Sequence, residues 1–291
     1  MKAENTGIFI KTGRAFYAIG IIAFGIQQIV IRDFRPEILS PFPAWAHEYI
    51  AFPLITGIAL IIAGVIISGL FKIKENIRKK TCLYLALYFL LLILTCHIPY
   101  NLIFSPNKAI HVGVWAPMLK ELAYCGGAFV IAGSFENTSL IGNNISRRSF
   151  LEKLIPFGRI FFSTTMIIYG YSHFLYTEYI KQMVPAWFGV PVFWTYFGGT
   201  ALIASGICIM LKIFIKPVAG LLAIMIFLWF IFLHIPDAIS NPYLGRGNEI
   251  VSAFDALLFS GVAILIALTT NKSADEMQNS NFLIPGYQIK K

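Results

Sequence analysis

Charged side chains are scarce in this sequence. Asp, Glu, Lys and Arg make up only 13% of its 291 residues, whereas hydrophobic residues make up 57%. A soluble domain has about 25% charged and about 45–50% apolar residues. The composition therefore predicts an integral membrane protein. The net charge of +9 does not indicate a nucleic-acid partner, because the basic residues stand in short segments between apolar runs.

Cysteine is also rare, and the motifs of several common chemistries are missing. Cys82, Cys96, Cys125 and Cys208 lie inside apolar runs without the spacing of a zinc site or a secreted disulfide framework. We interpret them as small core residues, although a redox pair of Cys96 and Cys125 stays open. The sequence has no phosphate-binding loop, no nucleophile elbow and no Cys-x-x-Cys-His haem-attachment motif.

Long apolar runs dominate the chain instead. A bilayer core requires about 20 mostly apolar residues per helix, and an open strand cannot satisfy its backbone in lipid. Each run is therefore predicted to be helical, which makes the chain an all-α membrane protein with eight transmembrane helices. The runs are 14–31, 50–71, 82–104, 116–135, 156–177, 190–213, 217–240 and 251–270.

The basic residues predict an orientation. Lys and Arg concentrate in the segments 72–80, 136–155 and 212–217, and the alternate connections are poorer in them. The positive-inside rule places the richer segments in the cytoplasm. We therefore expect a multi-pass protein of the cytoplasmic (inner) membrane with both termini in the cytoplasm.

The two halves of the chain repeat the same landmarks in the same order. Four helices per copy is an even number, so both copies have the same orientation and form a parallel repeat. The predicted units are a first four-helix repeat at 1–135, a cytoplasmic linker at 136–155, a second repeat at 156–270 and a cytoplasmic tail at 271–291. The matched landmarks are Gly13-Arg14 with Gly158-Arg159, Gly25 with Gly170, Pro43-Ala44-Trp45 with Pro185-Ala186-Trp187, Gly57 and Gly64 with Gly199 and Gly206, His97-Ile98-Pro99 with His234-Ile235-Pro236, and Glu121 and Gly127 with Asp255 and Gly261.

Polar residues converge on the outer leaflet in this arrangement. An ionisable group inside a transmembrane segment is costly and marks a candidate functional site, and Pro99 and Pro236 each remove one helical hydrogen bond nearby. Two interpretations stay open: interhelical pins that pair His97 with Glu121 and His234 with Asp255, or a ligand or proton site. A two-His, one-carboxylate metal site is a weaker alternative. The converging residues are Gln28, His97 and Glu121 in the first half, and His173, His234 and Asp255 in the second.

The second half resembles the DoxX family of four-helix membrane modules. The motifs that carry the resemblance are Gly158-Arg159-Ile160-Phe161, Gly170-x-x-His173-Phe174, Val184-Pro185-Ala186-Trp187, Gly199-x-Ala201-Leu202-Ile203-x-x-Gly206 and Leu233-His234-Ile235-Pro236. The first half looks like a diverged second copy with Gln28 in place of His173. The resemblance implies an association with respiratory-type redox chemistry, such as the membrane subunit of thiosulfate:quinone oxidoreductase, or with maturation of periplasmic redox enzymes.

From these observations we expect a membrane component of a redox system with an outward-facing pocket for a quinone or another small amphiphile. His234 would exchange a proton or bond a carbonyl oxygen, Asp255 would tune its basicity, and Trp187 and Trp194 would line the entrance. An activity as a quinone-linked oxidoreductase subunit is left open. The alternatives are a non-catalytic partner that stabilises or matures another membrane or periplasmic protein, and a transporter of small hydrophobic compounds. The other expected binding residues are His173, His97, Glu121, Gln28 and Trp45.

Overall fold

The structure, a computed structural model, describes residues 3–105, 111–135 and 149–270. These residues form helices and connecting turns, and no strand occurs among them. Most of the predicted linker, residues 136–148, and the predicted tail 271–291 lie outside the described residues. The all-α prediction is confirmed for the described part of the chain.

Each predicted apolar run overlaps a long helix, and some of these helices begin before the run does. Four short helices, α2 (Ala44–Glu48), α6 (Phe150–Lys153), α8 (Thr177–Ile180) and α11 (Ile235–Ser240), lie in or near the connections. The eight long helices are α1 (Ala3–Ile31), α3 (Ala51–Ser68), α4 (Glu75–Leu92), α5 (Ala116–Gly133), α7 (Phe157–Leu175), α9 (Pro191–Leu211), α10 (Ile215–Trp229) and α12 (Asn248–Thr269).

Six helical stretches within the described residues are long and apolar enough to cross a membrane. They contain α1, α3, α4, α9, α10 and α12. The helices α5 and α7 are outside this set because their sequences are more polar: α5 contains Lys120 and Glu121, and α7 contains Arg159 and His173. Several long apolar helices indicate a membrane protein, as the composition predicts.

The long helices form a closed ring. Each packs against the next in the order α1, α3, α4, α5, α7, α9, α10 and α12, and α12 packs against α1. The helices α5 and α12 also touch across the middle of the ring, and they are the most buried of the set. We call the end of the ring with the connections 32–50, 111–115, 176–190 and 241–247 the histidine end, because all five histidines lie in or near it. The opposite end is the arginine end.

Glycines allow close contact at two of these helix pairs. A Cβ atom added at Gly170 of α7 would lie 2.5 Å from the carbonyl oxygen of Gly199 on α9, and a Cβ at Gly25 of α1 would also overlap the Gly57 carbonyl of α3. Small residues let transmembrane helix backbones approach in this way. These glycines, which are matched landmarks of the two halves in the sequence, therefore lie at the tightest helix contacts.

The helices α4 and α10 both widen into a π-helical turn just before a proline. The turn Ile93–His97 precedes Pro99, and the turn Phe230–His234 precedes Pro236. In each turn an N–H donates to the carbonyl five residues earlier, from Ile98 in α4 and from Ile235 in α10. Because proline lacks an N–H, the regular hydrogen-bond pattern cannot continue through it. Each histidine therefore ends a wide turn, a feature often found at functional sites.

Arginines tie helix ends together at the arginine end. The Arg159 side chain donates to the carbonyl oxygens of Ile209 and Met210, both at 2.5 Å, at the last turn of α9. Arg14 donates to the Ser134 carbonyl at 2.5 Å and lies 3.7 Å from the centre of the Phe135 ring. These arginines satisfy backbone carbonyls that a helix end leaves free, so they contribute to the packing of the helices at this end.

Candidate functional site

The connection after α1 folds into the histidine end of the ring instead of lying on its surface. Ile38 is 1% exposed and Leu39 4%, and Ser40, Arg35 and Glu37 are also buried. We call residues 34–41 the inserted segment. The sequence predicts an outer connection here, and none of its patterns indicates a buried role for residues 34–41. The insertion is a tertiary feature that brings a carboxylate into the centre of the ring.

Lys120 is the centre of a buried charge network. Its Nζ atom lies 2.9 Å from Asp255 Oδ2 on α12 and 3.3 Å from Glu37 Oε1 on the inserted segment. The Tyr124 hydroxyl donates to the other Asp255 oxygen, and the Tyr17 hydroxyl donates to the Tyr124 carbonyl at 2.8 Å. One cation thus joins α5, α12 and the inserted segment.

The inserted segment carries a charged carboxylate. Burial alone would raise the pKa of Glu37, but the neighbouring cations Lys120 and Arg35 outweigh this effect and hold the pKa below its ordinary value. Glu37 is therefore an anion near neutral pH. Its second oxygen lies 3.6 Å from Arg35 Nε, so the carboxylate is shared between two cations.

A second set of charges closes the rim of the histidine end. Asp33 accepts from His47 at 2.8 Å and from Arg246 at 3.1 Å, and Arg35 donates to the Arg246 carbonyl at 2.7 Å. Burial would raise the pKa of Asp33, but hydrogen bonds from His47, from the Phe34 N–H and from Arg246 lower it overall. Asp33, His47 and Arg246 border a surface depression of about 320 Å³.

Of the first-half residues predicted to converge, His97 and Glu121 are brought together, whereas Gln28 is buried against α3. His97 is 1% exposed, and its Nε2 atom lies 3.1 Å from Glu121 Oε2. Gln28 is fully buried and donates to Thr56 Oγ1 at 3.1 Å. Among the described residues only His97 reaches the Glu121 carboxyl group. His97 Nε2 and both Glu121 oxygens nevertheless have no hydrogen-bond partner among the described residues. The structure therefore brings the two side chains of the predicted interhelical pin together without forming a hydrogen bond between them.

The second-half residues are arranged differently. His173 Nδ1 donates to the Tyr169 carbonyl at 2.8 Å, and the imidazole stacks on Trp229, with ring centres 6.2 Å apart. His234 lies on the next turn of α10, and its buried Nδ1 atom has no hydrogen-bond partner among the described residues. Asp255 pairs with Lys120 and Tyr124. The structure therefore does not form the expected pair of His234 and Asp255, because Lys120 provides a stronger partner for that carboxylate.

Aromatic side chains extend from this region to the surface. Trp187 is 69% exposed and packs edge-on against Phe232 of α10, with ring centres 5.9 Å apart. Phe188 lies between Trp187 and Trp194, at 4.5 and 5.0 Å from their ring centres. In the first half the exposed Trp45 packs on Phe52 instead. Trp187 and Trp194 thus border the His234 region, whereas Trp45 is separate from the His97–Glu121 contact.

The helix contacts also change one of the predicted correspondences. Gly126 packs against Gly158 and Gly261 packs against Gly13 in the same way, each with a Cβ-to-carbonyl distance of 2.6 Å. Lys120 precedes Gly126 by the same number of residues as Asp255 precedes Gly261, so these contacts match Lys120, not Glu121, with Asp255. The two side chains that form the central ion pair therefore have the same position relative to the glycine contacts of α5 and α12.

Lys120 and Glu37 are the site residues that sequence reasoning missed. Lys120 had a detectable signal, because a lysine within an apolar helical run is as costly as the neighbouring Glu121. Glu37 had none, since it stands among charged residues in a connection of ordinary polarity. Only the fold shows that this connection turns inward.

No protein-family model, curated protein or solved structure matches the chain. The described residues contain no group of three His, Cys, Asp or Glu side chains placed to hold a metal ion. The metal alternative does not assemble, because Asp255 is turned toward Lys120. Cys96 and Cys125 are free thiols, and Cys125 donates to the Ala86 carbonyl at 3.3 Å.

Proposed function

We propose that the chain crosses the inner membrane eight times as two parallel four-helix halves. Equivalent contacts support the two halves: Cys125 donates to the Ala86 carbonyl, and Ser260 donates to the Ala223 carbonyl. The two π turns and the paired glycine contacts follow the same correspondence. In this proposal α5 and α7 also span the bilayer, with their polar residues facing the centre of the ring or the helix ends.

Membrane topology can be measured with single cysteines in a variant whose four native cysteines are replaced. A cysteine in place of Lys72 at the arginine end is expected to react with a membrane-impermeant thiol reagent only after the cytoplasmic side is opened. A cysteine in place of Glu178 at the histidine end is expected to react in intact cells, because the positive-inside rule places that end outside. The reverse pattern would exclude the proposed orientation, and labelling of both from one side would exclude the proposed span count.

We also propose that the chain is a DoxX-like membrane protein. Its support is that the motif residues of the second half lie at packing or polar positions. Gly170 and Gly199 form the closest α7–α9 contact, His173 stacks on Trp229, and His234 ends the π turn of α10. Fold-level likeness alone does not transfer an activity, so the function rests on the chemistry of the second-half residues.

The function that the geometry supports best is binding of a quinone or another small amphiphile with a carbonyl head group, as a membrane component of a redox system. The observation that carries this proposal is the buried Nδ1 of His234, which lacks a partner among the described residues. A buried polar atom without a partner costs about 1–3 kcal/mol, and a ligand carbonyl would satisfy it when the imidazole donates. The stacked His173 and Trp229 supply flat surfaces for a ring, and Trp187 and Phe232 border the approach from lipid.

We expect His234→Ala to weaken binding of a short-chain benzoquinone about tenfold or more. The substitution would leave the quinone carbonyl buried without its hydrogen-bond donor, which costs about 1–3 kcal/mol. Binding would be measured by equilibrium dialysis of the purified protein in lipid nanodiscs. The control is His111→Ala, an exposed histidine at the same end of the ring. Equal affinities in wild type and His234→Ala would remove His234 from the role.

The alternative of a non-catalytic partner protein makes a different prediction. It predicts that a pulldown recovers one partner protein in a stoichiometric amount relative to the chain. It also predicts that the purified chain binds no measurable quinone. Mass spectrometry of the proteins and lipids that co-purify would distinguish the two functions in one experiment.

A further inference from the structure

We propose that the first half contains a second amphiphile site, centred on His97, which the inserted segment 34–41 of the chain itself occupies. This inference rests on the proposed function, because it assigns to the first half the same kind of site. The ligand class is an amphiphile with a carbonyl head and a branched apolar tail. The wild-type chain would therefore bind one such molecule, in the second half.

The first observation is the position of the inserted segment. Its backbone at Ile38 interacts with the His97 imidazole, and the Ile38 and Leu39 side chains belong to the buried core. Immediately after it, Phe42 stacks on Phe104 at the end of α4, with ring centres 4.3 Å apart. The segment thus presents a polar backbone group to the imidazole and aliphatic side chains to the surrounding helices.

The second observation is that charges hold the segment in place. Glu37 contacts Lys120, and Arg35 donates to the Arg246 carbonyl across the histidine end. At its start, Asp33 is bound by His47 and Arg246. These contacts anchor the segment to α5 and to the connection before α12, so it is a fixed part of the fold of the first half.

The third observation is that the corresponding connection of the second half lies on the surface. It contains the short helix α8, whose Glu178 side chain is 85% exposed and whose Tyr179 is 66% exposed. His234, the counterpart of His97, is more exposed than His97, and its Nδ1 has no partner among the described residues. One half thus has an imidazole covered by the chain, and the other half has an equivalent imidazole that the chain does not cover.

The inserted segment also indicates the chemistry that its site accepts. A peptide backbone beside an imidazole occupies the place of a carbonyl head group, and Ile38 and Leu39 occupy the place of a branched aliphatic tail. A benzoquinone with a short isoprenoid chain has both the carbonyl head group and the branched aliphatic tail. It is also a suitable probe for the second half, because its carbonyl oxygen could accept from His234.

The test is the binding stoichiometry of a short-chain benzoquinone in nanodiscs. Ile38→Ala with Leu39→Ala removes the buried bulk of the segment and is expected to raise the stoichiometry from one to two molecules per chain. Adding His97→Leu is expected to return it to one. The matched control is Ile67→Ala with Ile131→Ala, which creates similar cavities from two fully buried residues near the arginine end and leaves the stoichiometry at one.

A folded double variant that still binds one molecule, or a wild type that already binds two, would overturn the inference. A wild type that binds none while the variant binds one in a His97-dependent manner would support the inference and contradict the proposed function. Binding by neither protein would contradict both. If the double variant does not fold, Glu37→Gln can replace it, because this substitution releases the segment from Lys120 without creating a cavity. The Glu37→Gln protein is likewise expected to bind two molecules per chain, and one when His97→Leu is added.

Discussion

Lys120→Met is expected to lower the free energy of unfolding by about 3–5 kcal/mol, the cost of breaking a buried ion pair from one side. The substitution removes the cation that lies 2.9 Å from Asp255 and 3.3 Å from Glu37. Both carboxylates would then be buried without their main partner, and each must be protonated or reach water. Asp255 is on α12 and Glu37 is on the inserted segment. We therefore expect the packing of α5 against α12 and the packing of the inserted segment against α5 to weaken together.

The measurement is chemical or thermal unfolding of the purified protein in detergent micelles. Lys153→Met, at an exposed lysine, is expected to change stability by no more than about 0.5 kcal/mol. A triple variant, Lys120→Met with Glu37→Gln and Asp255→Asn, is expected to recover most of the loss, since replacing a whole buried charge group is often close to neutral. A Lys120→Met protein as stable as wild type would show that water reaches the network.

The second large effect is expected from Gly25→Ile and, separately, Gly170→Ile. A Cβ at either position would overlap a carbonyl oxygen of the facing helix, Gly57 on α3 or Gly199 on α9. Overpacking typically costs about 1–3 kcal/mol, and we expect a loss at or above the upper value because the obstacle is backbone, which cannot rotate away. Both variants should therefore fold poorly and to a similar degree.

Gly220→Ile is the matched control for this pair. Gly220 lies in α10, and a Cβ there meets no atom of the described residues within 4 Å. We expect its monodisperse yield and melting temperature to remain near those of wild type. If Gly25→Ile is severe and Gly170→Ile is mild, the two helix pairs are not energetically equivalent, and the support that these contacts give to a repeated architecture is lost.

The two halves differ more in their connections than in their helices. In the first half, His97 and Glu121 contact each other and the inserted segment covers them. In the second half, the π turn ends at a histidine whose Nδ1 has no partner among the described residues. This asymmetry is the reason for proposing that one amphiphile binds per chain, at His234, and that the inserted segment fills the site at His97. It makes the connection after α1 the most informative place for mutagenesis.

Much of the helical framework was predictable because it depends on local patterns. Apolar runs of membrane length must be helical in lipid, and each of the eight runs overlaps a long helix. Pro99 and Pro236 indicated disturbed turns beside the two histidines, and π turns occur there. The closeness of His97 and Glu121 also followed from the order of the helices and their depth.

The partners of Asp255 were not predictable in the same way. Matching the halves by sequence aligned Glu121 with Asp255, whereas the glycine contacts align Lys120 with it. A shift of one residue turns a helical side chain by roughly 100°, since the helix has 3.6 residues per turn. Such a shift decides whether α12 faces a carboxylate or an ammonium group, and only the packing of the helices determines it.

By itself, the sequence determined that the chain is a helical membrane protein, where its long helices lie and at which end its histidines gather. These properties follow from composition, run length and the chemistry of proline, which act over a few turns of one helix. The tertiary structure alone decided that residues 34–41 fold inward, that Lys120 joins Glu37 to Asp255, and that His234 has no partner at Nδ1 among the described residues. Those contacts join residues far apart in the chain, and their energies depend on burial and exact register, which no local pattern contains.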